Sequence, residues 1–150
     1  MEQHDILDLA EWFLQQQPMS HKKVQKMCYY AVAWSYALFG ESLFADSDFE
    51  AWAHGPVSVT LFNKYKGNGW DYLMPEGRQI DLDSREIDLL ESIMLTYGDN
   101  TANGLEALSH TEMPWIRARV GVPDGAPSHN LINKNDMIEY YRSIYSGDEA

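Results

Sequence analysis

Between residues 5 and 16, Ile6, Leu9, Ala10, Phe13 and Leu14 recur at helical spacing, while Asp8 and Glu11 take other positions. This pattern predicts a first amphipathic helix. Pro18 interrupts it. Ser20 is placed to cap a second helix, with Met19 and Val24 disposed as a hydrophobic staple across the cap. Through Phe39, Val24, Met27, Cys28, Ala31, Ser35 and Leu38 mark one face, and Tyr30, Trp34 and Ala37 run up another. A helix apolar on most sides is central to its fold. Gly40 stands where a C-terminal glycine stop belongs.

Phe49, Ala51 and Ala53 alternate weakly, which suits a short strand or an extended loop. Gly55-Pro56 is expected to open a third helix, since proline is tolerated in the first turn. Val57, Leu61, Phe62 and Tyr65 would be its buried stripe, and Gly67-Asn68-Gly69 its end. Residues 70–82 look irregular, with Gln79 to Leu82 a candidate partner for the strand near Phe49. Asp83 and Glu86 form a capping-box pattern, with Leu82 and Ile87 as staple, ahead of a stripe of Ile87, Leu90, Met94 and Tyr97 that Gly98 ends. A short helix follows from Thr101 to Ser109, and Thr111 is placed to cap another with Pro114 in its first turn. After a loop rich in proline and glycine, Asn133 caps a last helix whose Met137, Ile138, Tyr141, Ile144 and Tyr145 face inward. The expected fold is mainly α: a single compact helical domain over residues 1–150, with about six or seven helices and room for a minor short antiparallel β-hairpin.

Composition sharpens that picture. A hydrophobic fraction of 45% argues for a folded chain. The net charge of -12 weighs against nucleic-acid binding by this chain alone, because affinity for phosphate rests on Lys and Arg, and it favours a basic partner. The single cysteine, Cys28, rules out an internal disulfide. The first residues carry no basic segment followed by an apolar run, and no stretch approaches the ~20 apolar residues that span a bilayer, so a cytoplasmic location is expected.

Signals for catalysis are weak. Cys28 sits on an apolar helical face, as a buried structural cysteine does. The histidines His4, His21, His54, His110 and His129 form no metal-ligand spacing, and no phosphate-loop or nucleophile-elbow motif occurs. An enzyme and a cofactor are therefore not expected. Among histidines, His54 and His110 each precede a proline-marked segment, and with Glu50 they are the one set that folding could assemble into a polar pocket. Lys22, Lys23 and Lys26 crowd the first turns of a helix, where positive charge opposes the macrodipole, so something must compensate them: carboxylates of the same chain or an acidic stretch of a partner. The aromatic block nearby could supply core or contact surface.

These residues together resemble a known family. Lys23, Val24, Gln25, Lys26, Met27, Tyr29, Tyr30 and Ala31, then Glu50, Ala51, Trp52, Gly55, Pro56 and Val57, then Ser109, His110, Pro114 and Trp115 are similar, in order, to the motifs of the Panacea domain, the SocA-like or GepA-like phage-associated domain. The resemblance implies a mostly helical bacterial or phage protein that serves as the antitoxin of a toxin–antitoxin pair and binds a cognate toxin protein. It also implies an alternative, an adaptor that delivers the toxin to the ClpXP protease, and a third, a phage-associated regulator with no toxin. Lys22, Lys23, Lys26, Tyr30 and Trp34 are then the candidate partner-binding residues. Gln25, Tyr29, Glu50, Trp52, His54, Gly55, Pro56, His110, Pro114 and Trp115 are motif residues assigned to the fold.

Overall fold

The computed structural model describes residues 3–69 and 71–148. Among them are seven α-helices and two short antiparallel strand pairs, as the mainly α expectation required. Helix α1 (Ile6–Gln16) begins in a capping box in which Asp5 accepts from the Asp8 N–H and Asp8 reaches back to the Asp5 N–H. Strand β1 (Met19–Ser20) leads directly into α2 (His21–Phe39), capped by Ser20 and stopped by Gly40 in the left-handed conformation at φ 76°. Helix α2 is the hub, packing against α1, α3, α4, α5 and α7. Its Val24, Met27, Cys28, Tyr30 and Ala31 are fully buried.

The first departure from the sequence pattern comes after α2. Gly55-Pro56 does not open a helix; strand β2 (Glu50–Trp52) pairs with β3 (Gly55–Val57) as a hairpin, and α3 (Val59–Tyr65) starts later, capped by Ser58. Proline is tolerated in β3 because Ala51, opposite it, spends its backbone elsewhere: its N–H donates to Asn130 O and its carbonyl accepts from Arg119 Nη1. The 50s strand also bridges to Leu131, not to residues 79–82. Instead β4 (Tyr72–Leu73) pairs with β1. The chain beyond β4 is pinned to α1 by Glu11, whose carboxylate accepts from the Glu76 and Gly77 N–H groups at 2.9 Å each. Glu11, which the periodicity put off the buried stripe, is 2% exposed.

Helix α4 (Ser84–Tyr97) begins in the expected capping box between Asp83 and Glu86. Its buried stripe is Leu89, Leu90, Ile93 and Tyr97, which leaves Ile87 exposed. Helix α5 (Ala102–Ser109) is capped by Thr101. In α6 (Met113–Ala118) Pro114 lies in the first turn as expected, but Glu112, not Thr111, holds the cap position; the Thr111 hydroxyl turns back to donate to Leu108 O. Asn133 Oδ1 accepts from the Asn135 and Asp136 N–H groups at the start of α7 (Lys134–Asp148). Met137 and Tyr141 of α7 are buried, whereas Ile144 and Tyr145 are exposed.

Candidate functional site

The three lysines at the head of α2 meet three different fates. Lys22 Nζ lies 2.5 Å from Glu106 Oε1 and donates to Asn103 Oδ1 at 2.7 Å. Lys23 Nζ donates to Gly98 O at 2.6 Å, neutralising the carbonyl end of α4. Lys26 turns inward and is 2% exposed. Positions 22 and 26 are one turn apart and share a side of the helix; position 23 is rotated about 100° away. For Lys22 and Lys23 the compensation that the macrodipole demanded is thus internal.

Around Lys26 the motif residues converge. Gly55, at φ 118°, has no Cβ; one placed there would lie 2.9 Å from Lys26 Cε, 3.1 Å from its Nζ and 3.2 Å from Ser109 Oγ. Gln25 clamps the start of α3, its Oε1 accepting from the Ser58 N–H at 2.8 Å and its Nε2 donating to Ser58 O at 3.1 Å. On the other flank the Trp115 indole donates to Trp52 O at 2.9 Å and stacks on His110 with ring centroids 4.0 Å apart. The Arg119 guanidinium lies over the Trp115 ring, 5.1 Å from its centroid. His54 is at the exposed rim, its Nδ1 3.5 Å from Glu106 Oε1. Glu50 does not join it; that carboxylate accepts from Trp52 Nε1 and faces His129 Nδ1, both at 2.8 Å. Glu106, not Glu50, is the carboxylate beside His54. The hint lay in its i, i+4 spacing from His110 along α5.

Between these elements lies a pocket of about 300 Å³, with Lys26, Lys22, His21, Trp52, His54 and Phe62 on its walls. Burial, with Lys22 adding repulsion against the partial help of Glu106, lowers the Lys26 ammonium to about 7. Burial likewise lowers His21 and His110. It would raise the Glu106 carboxyl, but Lys22 and His54 hold that group below its ordinary value.

Tyr30 is fully buried and belongs to a second polar cluster. Its hydroxyl donates to Glu112 Oε1 at 2.8 Å, and Tyr141 donates to the same oxygen at 2.9 Å while lying 3.2 Å from the Tyr29 hydroxyl. Tyr30 stacks on Tyr97 at 4.0 Å, and Trp34, half-buried, donates its indole N–H to the Tyr97 hydroxyl at 2.8 Å. Burial raises the Glu112 carboxyl even though two tyrosines donate to it. Burial thus takes Lys26 and Tyr30 out of any outer contact surface, while Trp34 keeps a partly open edge. Burial also pushes the Cys28 thiol up, away from the thiolate form a nucleophile needs. Among the described residues no group of three His, Cys, Asp or Glu side chains is placed to hold a metal ion, and no helix is long and apolar enough to cross a membrane.

Comparison with known proteins agrees with the arrangement of these motifs. One similar protein, antitoxin SocA of Caulobacter vibrioides (strain NA1000 / CB15N), is 30% identical over 111 residues, covering 65% of this chain. The chain spans 58% of that relative's length. No solved structure matches. Residues 24–116 match the model of the antitoxin SocA-like, Panacea domain, and the chain belongs to that family.

Proposed function

We propose that this protein is the antitoxin of a toxin–antitoxin pair and neutralises a cognate toxin protein by binding it, acting by contact and not by catalysis. The observation that carries this reading is the match of residues 24–116 to the SocA-like antitoxin domain. The outer side of α2 suits the contact. Leu38 and Phe39 are 41% and 36% exposed, one turn beyond Trp34, whose ring lies 6.1 Å from that of the exposed Tyr145. Tryptophan and tyrosine, here Trp34 and Tyr145, are frequent energetic centres of interfaces. The net charge of -12 would steer a basic toxin toward it.

The test is paired expression: the adjacent open reading frame alone, then together with this protein, followed by pull-down. Toxicity relieved together with a stoichiometric complex is the expected result. In the double variant Leu38→Asp, Tyr145→Asp, affinity should fall about tenfold or more with the fold retained. Relief that leaves no complex and requires ClpXP would instead indicate the adaptor route, and absence of toxicity would sink the reading.

A further inference from the structure

We propose that the pocket over Lys26 is a binding site for a carboxylate carried on an apolar body, with the Lys26 ammonium meeting the carboxylate and Trp52 and Phe62 holding the body. The site does not depend on the antitoxin reading. Lys26 is 2% exposed and lines the pocket, yet among the described residues its Nζ makes neither a hydrogen bond nor an ion pair. Lysine is almost never buried that deeply without a partner, because an unpaired ammonium is costly to remove from water.

The neighbouring groups leave this amine as the uncompensated charge. Lys22 and Glu106 are engaged with each other at 2.5 Å, and His54 faces the same carboxylate from the rim. From the surrounding elements, His21 and His110 are both biased by burial toward the neutral form. Gly55 lets the β3 backbone pack directly against Lys26, since a Cβ there would lie 2.9 Å from Cε and 3.1 Å from Nζ, and the open space beside the lysine is the pocket itself. Space, an unpaired donor and aromatic walls select a ligand that is anionic at one end and apolar at the other. A small polar anion would leave the walls unused. A cation would meet Lys26.

Such a carboxylate could be that of a free small acid or of a peptide C-terminus ending in an apolar residue. Binding favours the charged amine, so it takes up protons above neutrality and weakens as pH rises from 7 toward 9.

The experiment is an NMR titration of the 15N-labelled full chain with 3-phenylpropionate, with its uncharged amide, and with an N-acetylated dipeptide ending in a free phenylalanine carboxylate. The acid is expected to shift Gly55, Ser109 and the Trp52 indole saturably, with the amide about tenfold weaker or inactive. Lys26→Met should abolish the acid response while retaining a dispersed spectrum. Should that variant fail to fold, the acid–amide contrast on the wild-type chain decides alone. Dipeptide binding as tight as that of the acid supports the site and assigns it to a chain terminus. Exclusion of the dipeptide with the acid retained supports it as a small-acid site. Equal binding of acid and amide, an unchanged response in Lys26→Met, or no shift at these residues overturns the proposal.

Discussion

A buried lysine costs stability whenever it is charged, and Lys26, without an ion pair among the described residues, makes that cost measurable. Its folded value of about 7 lies below the ordinary 10.5, so between those two values the unfolded chain holds a proton that the folded chain has lost. Stability from this group therefore rises with pH across that window, and the penalty is complete below about pH 7. Lys26→Met is expected to stabilise the fold by about 1–4 kcal/mol at pH 7, with the advantage narrowing by pH 9. Parallel urea melts of both proteins at the two pH values check this. The sequence showed three lysines gathered where a helix disfavours them, and this much was legible from local chemistry. What each lysine does was not, because Lys22 finds Glu106 and Lys23 finds the Gly98 carbonyl across more than 70 positions of chain. Tyr30 was misplaced toward the surface for the same reason: its acceptor, Glu112, is 82 positions away.

At the scale of elements, α2 organises its neighbours through side chains that act as backbone. The Gln25 amide meets both the N–H and the carbonyl of Ser58, which is 1% exposed, and so fixes where α3 starts. Gln25→Met leaves the Ser58 N–H buried without its acceptor, while Ser58 O keeps the Phe62 N–H, and should cost about 1–3 kcal/mol, read as a lower urea midpoint with an unchanged slope. Helix starts set by partners three residues apart, such as Asp83 with Glu86, were legible because every participant is local. The β2–β3 hairpin was not, since Pro56 is admitted to a strand only by Asn130 and Arg119 drawing off the backbone of Ala51. Stripes were legible in period but not in extent. Ile87 and Tyr145 fall at the margins of theirs, and what covers a margin is decided by a neighbouring helix rather than by the period.

For the whole molecule, the stretch that carries the family signature is smaller than the stretch that makes the core. Helices α1 and α7 lie outside residues 24–116, yet Ile6, Ala10 and Phe13 of α1 and Tyr141 of α7 are fully buried. A fragment limited to 24–116 would expose the α2 faces they cover and strip Glu112 of one of its two donors. It is expected to give no cooperative thermal transition by circular dichroism, where the full chain gives one. The order in which the ribosome releases the chain then matters. Tyr141 closes the tyrosine cluster around Glu112, so α2 leaves the ribosome long before the residue that seals it. During that interval the nascent chain presents the broad apolar flank of its central helix, a form that chaperones would hold and proteases would cut. Synthesis of this protein therefore yields a folded molecule late and nearly all at once, and a chain stalled before Tyr141 would be a substrate for degradation rather than a partly folded product.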